Sequence, residues 1–333
     1  MPRRALIVGI NTYQSPGSNL AGAVRDADAI AKRLERQEDG TPNYECRVLL
    51  DRMEDGSPIT RVRFLEACLH LFCPPFTGET LLYFSGHGAL SDFGGYLCTS
   101  DAGRGDPGVS MDEVLTRATA SKSSDVVIIL DCCFSGGLGN PAILQQEGKP
   151  LLALLRENTT IIAASRTSEP AMEMAGHGIF TSAVLDALDG GAADHLGWVT
   201  APSIYAYVER RFGAWDQRPV YKAHSTAVTP IRQCAPLIER LKLRELVSLF
   251  PKQDSEYALD PEYEPEDEHG NVVGNLNEEK VRIAQLLKEY RDAGLVKPSI
   301  PREQLYWTAR KSHTVRLTPR GWEYLWLVRN DKI

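Results

Sequence analysis

Short apolar runs alternate with amphipathic helical patterns over the first 235 residues, and this alternation constrains the fold more than any other feature. The patterns "NLAGAVRDADAIAKRLERQ" and "ITRVRFLEACLHLF" have helical spacing, and we expect Asn19 to cap the first helix. A strand–helix–strand order is typical of a mostly parallel sheet covered by helices. The sequence predicts an α/β fold with six strands, in "RALIVGI", "ECRVLL", "TLLYF", "DVVIIL", "TTIIAAS" and "YKAHSTAVTPI".

The length, charge, apolar runs and cysteines of the chain limit the number of domains and the compartment in which we expect it. A chain of 333 residues is long enough for about two domains. A formal net charge of −7 argues against a chain-wide nucleic-acid or membrane surface. No stretch approaches the roughly 18 apolar residues of a membrane span. The seven cysteines show no zinc-site spacing. We therefore expect a cytoplasmic protein.

The composition changes after residue 235 and predicts the domain boundaries. Residues 252–271 carry eight acidic residues against one lysine, so 236–275 is interpreted as a helix followed by an acidic linker. Residues 276–333 hold 12 basic against 7 acidic residues and read as helix, short helix, strand and helix. This outline is similar to a winged helix, and we predict a small regulatory or docking domain there rather than a DNA-binding one.

Two motifs at the ends of neighbouring predicted strands carry the chemistry. "YFSGHG" presents His87 after the third strand, and "DCCFSGG" presents Cys133 after the fourth. The carboxyl ends of parallel strands meet at one edge of a sheet, where such folds place their active sites. A cysteine nucleophile needs a base to generate its thiolate and donors for the oxyanion. The two motifs therefore indicate nucleophilic catalysis.

The spacing of these motifs, 46 residues from His87 to Cys133, resembles that of the caspase-like cysteine proteases. The Asp-x-Cys-x-Ser-Gly form resembles the metacaspase and bacterial caspase branch of peptidase family C14. The likeness covers residues 4 to about 232, through "ALIVGINTY", "LAGAVRDADAI", "GGYLCTSDA", "IIAASRTSEPAMEMAGHGIFTSAVLDAL" and "QRP". It implies a caspase-like protease domain over 1–235, with a large-subunit-like part at 1–140 and a small-subunit-like part at 158–235.

The resemblance also implies roles for individual residues. Cys133 becomes the nucleophile and His87 the general acid, while the amides of Gly88 and Cys133 form the oxyanion hole. The substrate-binding (S1) pocket is lined by Asp26 and Asp131, with Asp28 as the neighbour able to exchange roles with Asp26. Two carboxylates at a pocket floor favour a cation, above all a guanidinium. The neighbouring Cys132 is interpreted as a core residue.

Two departures from the family pattern leave questions open. Phe134 stands where many metacaspases have histidine. Some family members need calcium, and Asp92, Asp101 and Asp106 are candidate ligands, but their loop lacks the alternating pattern of an EF-hand. We expect no required cofactor and leave calcium dependence undecided.

The resulting hypothesis is a cysteine endopeptidase that cleaves proteins after Arg, then Lys. We expect it to be held inactive until a cleavage or a partner signal, in the manner of a bacterial defence or cell-death effector. Its expected partners are protein substrates with Arg or Lys at the cleaved position and an upstream activator or docking protein, with no nucleic acid and no membrane. The alternative is a catalytically silent caspase-like scaffold that assembles partners through its carboxy-terminal module.

Overall fold

The protein divides into two compact units in a computed structural model. The first unit comprises residues 1–193 with 197–235, and the second comprises 194–196 with 236–333. For positions 91, 133, 134, 173, 174 and 177 the description covers the backbone alone. The structure describes residues 2–15, 17–51, 57–73, 75–91, 94–103, 105–134, 155–164, 173–174, 177–212, 218–264 and 277–333.

The first unit is built on a mostly parallel sheet, as the sequence predicts. Its main path has six strands in the order β11-β7-β6-β3-β1-β2, and two short strands, β4 and β5, extend from β3. Only β11 runs antiparallel on the main path, against β7. Strands β8 and β9 form a separate two-stranded antiparallel sheet, and so do β10 and β12. The strands of this unit are β1 (Arg3–Gly9), β2 (Glu45–Leu50), β3 (Glu79–Ser91), β4 (Gly94–Leu97), β5 (Val109–Ser110), β6 (Asp125–Phe134), β7 (Thr159–Ala163), β8 (Glu173–Met174), β9 (His177–Gly178), β10 (Trp198–Thr200), β11 (Val220–His224) and β12 (Pro230–Gln233).

Helices cover both faces of this sheet, which explains why its central strands are apolar throughout. Residues Val126 to Leu130 of β6 are all buried, because alternate side chains enter two separate cores. The described helices of the unit are α1 (Ala23–Glu35), α2 (Arg61–Phe72), α3 (Met111–Ala120), α4 (Ile179–Asp186) and α5 (Ala201–Glu209), with a π-helical turn at Ala187–Gly191. One core packs α2 and α3 against the sheet, and the other packs α1, α4 and α5.

Local signals explain where several of these helices begin. Ser110 and Glu113 form a reciprocal capping box at the start of α3, and Thr200 and Ser203 do the same for α5. The predicted cap of α1 is wrong: this helix begins at Ala23, after Gly22, and Asn19 lies outside it. The Asn19 side chain instead accepts a hydrogen bond from the backbone N–H of Tyr13.

The second unit contains a three-stranded antiparallel sheet in the order β13-β15-β14. One of its strands, β13, lies within the segment for which the sequence predicts a linker, and it pairs with β15. The described elements are α6 (Arg240–Arg244), α7 (Leu246–Leu249), β13 (Glu256–Ala258), a 3-10 turn (Pro261–Tyr263), α8 (Glu278–Asp292), β14 (Val296–Pro298), α9 (Leu305–Arg310), β15 (Thr314–Leu317) and α10 (Pro319–Arg329). No helix in the described ranges combines the length and the apolar character that crossing a bilayer requires.

Candidate active site

The two residues of the expected dyad are direct neighbours in the sheet. His87 of β3 pairs with Cys133 of β6 in a parallel register that runs unbroken from Glu79 and Asp125 to Gly88 and Phe134. Parallel strands lie about 4.8 Å apart. Both residues follow the buried parts of their strands, so the register brings their backbones together at the carboxyl edge of the sheet.

The imidazole of His87 is held in one orientation by a backbone carbonyl. Its Nε2 lies 2.7 Å from the carbonyl oxygen of Ser18, in the loop between β1 and α1. A carbonyl oxygen can only accept, so Nε2 carries the proton in this contact. In the neutral ring, Nδ1 is then the unprotonated nitrogen and is able to take a proton.

Tyr13 holds the backbone of the same histidine. Its hydroxyl accepts a hydrogen bond from the His87 backbone N–H at 2.8 Å, and the two rings lie 4.7 Å apart between centroids. On the same side of the strand, the carbonyl of His87 accepts from the N–H of Cys98 at 2.9 Å. Burial raises the pKa of Tyr13, so its hydroxyl stays protonated across the usual assay range.

The loop that carries Tyr13 and Ser18 is itself tied down by buried polar groups. Asp51, at the end of β2, accepts from the backbone N–H of Thr12 at 3.0 Å and from the Ser100 hydroxyl at 3.2 Å. Asn19 fixes the N–H of Tyr13 at 2.9 Å. The groups that contact His87 are therefore parts of one hydrogen-bonded scaffold.

Of the two adjacent cysteines, Cys132 is a core residue. Cys132 is 1% exposed and belongs to the core that packs α2 and α3. For Cys133 and Phe134 the description is limited to the backbone, which places Phe134 opposite Gly88 in the β3–β6 pairing. The open question about Phe134 therefore concerns a side chain outside the described residues.

The two carboxylates predicted for the S1 pocket are both buried, and both act on the pKa of one buried phenol. Asp26, in the first turn of α1, is 3% exposed, and Asp131 of β6 is 7% exposed. Burial raises the pKa of Tyr83, and the charges of Asp131 and Asp26 raise it further. Thr181 of α4 donates a hydrogen bond to Oδ2 of Asp131 at 2.5 Å.

The close packing of α1 on β1 positions Asp26. Gly9 ends β1, and a Cβ atom there would lie 2.6 Å from the carbonyl oxygen of Ala23. Only a residue without a side chain lets the first turn of α1 approach so closely. By contrast, Asp28 is partly exposed and forms an i,i+4 ion pair with Lys32 at 2.7 Å. The structure thus buries Asp26 and leaves Asp28 near the surface.

The two described calcium candidates, Asp101 and Asp106, contact other protein groups. Asp101 accepts hydrogen bonds from the backbone N–H of Arg61 and from the Thr99 hydroxyl. Asp106 lies 3.6 Å from the Arg61 guanidinium, and Asp92 falls outside the described residues. Within the described ranges, no group of three His, Cys, Asp or Glu side chains is arranged to hold a metal ion.

Sequence reasoning missed Tyr13, Ser18, Tyr83 and Thr181. Tyr13 and Tyr83 resemble ordinary apolar residues in a sequence, and Ser18 contributes only its backbone carbonyl. Thr181 lies two residues after the start of α4 at Ile179, a position that carries no chemical signal of its own. The only available hint was the dense polar segment after β1, "NTYQSPGSN".

The fold and this edge define a class of protein: a caspase-like α/β domain with histidine and cysteine paired at the carboxyl ends of adjacent strands. The family model for the caspase domain, peptidase family C14, matches residues 2–229. The chain therefore belongs to the caspase-domain family, a family of cysteine peptidases.

Comparison with solved structures gives distant likenesses. A protein of Geobacter sulfurreducens, solved in a structural genomics programme, is 18% identical, with a TM-score of 0.47 over 68% of this chain and 95% of its own. Caspase-1 from Spodoptera frugiperda is 13% identical, with a TM-score of 0.47 over 70% of this chain and 90% of its own. A search of curated proteins found no match.

Proposed function

We propose that the protein is a cysteine endopeptidase that uses His87 and Cys133 to cleave proteins after Arg, then Lys. The observation that carries this proposal is the register that pairs His87 with Cys133 at the carboxyl edge of the sheet. The fixed Nε2 contact with Ser18 supports it, because it leaves Nδ1 to handle the proton.

The proposed reaction is acyl transfer through a thioester. The Cys133 thiol gives its proton to Nδ1 of His87, and the thiolate attacks the carbonyl carbon of the scissile peptide bond. His87 then returns the proton to the leaving amine as the carbon–nitrogen bond breaks. In the second half, His87 takes a proton from water, the hydroxide attacks the thioester carbonyl, and the thiol is released with its proton restored.

The amides of Gly88 and Cys133 are proposed to receive the oxyanion. The N–H and C=O groups of one strand residue lie on the same side, and successive residues alternate. Since both groups of His87 are bonded on the side of Tyr13 and Cys98, those of Gly88 face β6. The Gly88 N–H therefore faces β6 as a member of the β3–β6 ladder, and the proposed role requires it to leave that ladder when substrate binds.

Selectivity for basic residues is proposed to come from Asp26 and Asp131. Both carboxylates are buried and both raise the pKa of Tyr83, so a cation that binds between them would meet two negative charges in a region of low dielectric. A guanidinium pairs with carboxylates through parallel N–H donors, which favours Arg over Lys.

The second unit is proposed to be a winged-helix-like docking module through which an activator acts. Its sheet order and flanking helices support this outline. Several of its basic groups are already paired with acids: Lys280 with Asp260 and Glu262, and Lys288 with Glu264. This internal pairing reduces the positive charge available to phosphates and supports a protein partner over nucleic acid. Latency before activation and a role in bacterial defence remain parts of the proposal.

A fluorogenic peptide panel with Arg, Lys or Asp at the cleaved position tests the proposal. We expect cleavage after Arg to exceed that after Lys, and no cleavage after Asp. Cys133→Ala should remove on the order of 10⁴-fold or more of kcat/KM. His87→Ala should remove about 10²–10⁴-fold, because general acid–base catalysis contributes that much. Each protein is assayed with and without calcium, and before and after limited proteolysis to relieve latency.

The matched control is the adjacent cysteine. Cys132→Ala removes a thiol one residue away that is buried in the core, so it should retain turnover after Arg even if stability falls. Equal loss in both cysteine variants would contradict the assigned nucleophile. Turnover after Asp alone would contradict the acidic pocket, and absence of turnover under every condition would favour the silent scaffold.

A further inference from the structure

A chain of buried hydroxyl groups lies behind one of the two pocket carboxylates. Thr181 Oγ1 donates to Asp131 Oδ2 at 2.5 Å, and the Tyr83 hydroxyl lies 2.6 Å from the same Oγ1. Tyr83 and Thr181 are fully buried.

The direction of these hydrogen bonds follows from counting protons. A hydroxyl group carries one proton and accepts through two lone pairs. Thr181 spends its proton on Asp131, so Tyr83 must donate to Thr181. Every donor in the chain therefore points toward the Asp131 carboxylate, and each bond polarises the next.

These hydroxyls join three elements of the first unit. Tyr83 belongs to β3, Thr181 lies in the first turn of α4, and Asp131 belongs to β6. The chain thus fixes Oδ2 of Asp131 relative to the sheet and to α4. A fixed carboxylate plane matters most to a planar guanidinium, which binds through two parallel donors, and less to an ammonium, which acts as a point charge.

We propose that Thr181 and Tyr83 are specificity-determining positioning residues: their hydroxyl relay orients Asp131 so that the pocket prefers Arg to Lys. This inference rests on the proposed function, because it assigns a role to the supports of the same pocket. Neither residue touches the reacting atoms; each acts through Asp131.

The test measures kcat and KM separately for matched Arg and Lys peptides on the full-length protein. Thr181→Val keeps the shape of the side chain and removes its hydroxyl. We expect KM for the Arg peptide to rise about tenfold, the scale of a lost hydrogen bond to a charged group, with kcat within about twofold. KM for the Lys peptide should rise less, so the Arg-to-Lys preference shrinks. Tyr83→Phe removes only the remoter hydroxyl and should give a smaller shift in the same direction.

Two further variants separate orientation from general damage to the core. Thr181→Ser restores a hydroxyl and should recover the Arg preference. Thr80→Val removes an equally buried threonine hydroxyl at the amino end of β3, where it bonds to the Asp125 carbonyl, and should leave the preference unchanged.

The outcomes distinguish this inference from the proposed function. A wild-type protein that prefers Arg, with a Thr181→Val variant that has the same preference, overturns the relay alone. The relay is also overturned if Thr181→Val lowers kcat equally for both peptides and Thr181→Ser does not restore it, because general damage to the core would produce that result. A wild-type protein that cleaves after neither residue refutes the proposed function and the relay together.

Discussion

Removing the hydroxyl of Tyr13 is the most direct perturbation of the histidine scaffold. In Tyr13→Phe the ring remains against His87, but the His87 backbone N–H loses the acceptor that lies 2.8 Å away. Tyr13 is 8% exposed, so water does not readily replace the hydroxyl. An unpaired buried N–H costs about 1–3 kcal/mol of folding free energy. For a unit of this size we expect Tm to fall by about 2–10 °C.

The same change should impair catalysis more than binding. Loss of the contact frees the backbone of His87 and the neighbouring Gly88, which is proposed to contribute to the oxyanion hole. Small misplacements of catalytic groups are costly, and we expect kcat to fall about tenfold or more with KM nearly unchanged. Tyr44→Phe is the control, because Tyr44 is also buried but precedes β2, at the opposite end of the sheet. It should leave kcat unchanged.

A substitution at Gly86 provides a second test of the position of the Tyr13 hydroxyl. A Cβ atom at this position would lie 2.6 Å from the Tyr13 hydroxyl oxygen, so Gly86→Ala alone should destabilise the fold by about 1–3 kcal/mol through overpacking. In Tyr13→Phe this oxygen is absent, and only the Phe84 ring, whose Cζ would lie 2.9 Å from the new Cβ, still obstructs it. The double variant should therefore be more stable than the sum of the single effects predicts, by on the order of 1 kcal/mol in a double-mutant cycle. Unchanged Tm and kcat in Tyr13→Phe, together with strictly additive effects, would refute this reasoning.

Two further predictions concern the packing of the first unit. Gly9→Ala should push α1 away from β1 and displace Asp26, so KM for Arg peptides should rise and Tm should fall; an unchanged KM would show that α1 does not position the pocket. Burial raises the pKa of the Cys68 thiol from 9.0 to about 12. The unfolded chain loses this proton first, so the thiol's contribution to stability is complete below pH 9 and is lost as the pH rises toward 12, at up to about 1.4 kcal/mol per pH unit. Cys68→Ala should flatten the fall of urea midpoints above pH 9, whereas the exposed Cys73→Ala should not.

The sheet could be predicted from the sequence because its strands are buried on both faces. A run such as "DVVIIL" is apolar at every position, and burial of both faces is what such a run requires. The cap of α1 could not be predicted in this way. Asn19 has the side chain of a good cap, but the tertiary contact with the Tyr13 backbone takes its oxygen, and the helix begins later.

Sequence reasoning likewise found some residues of the candidate site and missed others. Asp26 and Asp131 were accessible to sequence reasoning because carboxylates in motifs are conspicuous and the family resemblance assigns them a role. Thr181 and Tyr83 were not, because their importance depends on long-range geometry: the Thr181 hydroxyl reaches a carboxylate 50 residues away in the chain. Strand β13 was missed for a similar reason, since its pairing with β15 outweighs an acidic, proline-containing local sequence.

The contact between His87 and the Ser18 carbonyl has a consequence for evolution and for mutagenesis. Every residue type has a backbone carbonyl. A substitution at position 18 that keeps the backbone conformation therefore keeps this acceptor. Alanine scanning would therefore pass over one of the groups that orient the histidine. The contact is vulnerable instead to insertions, deletions or bound regulators that move the loop, which offers a way to control the histidine without altering either residue of the proposed dyad.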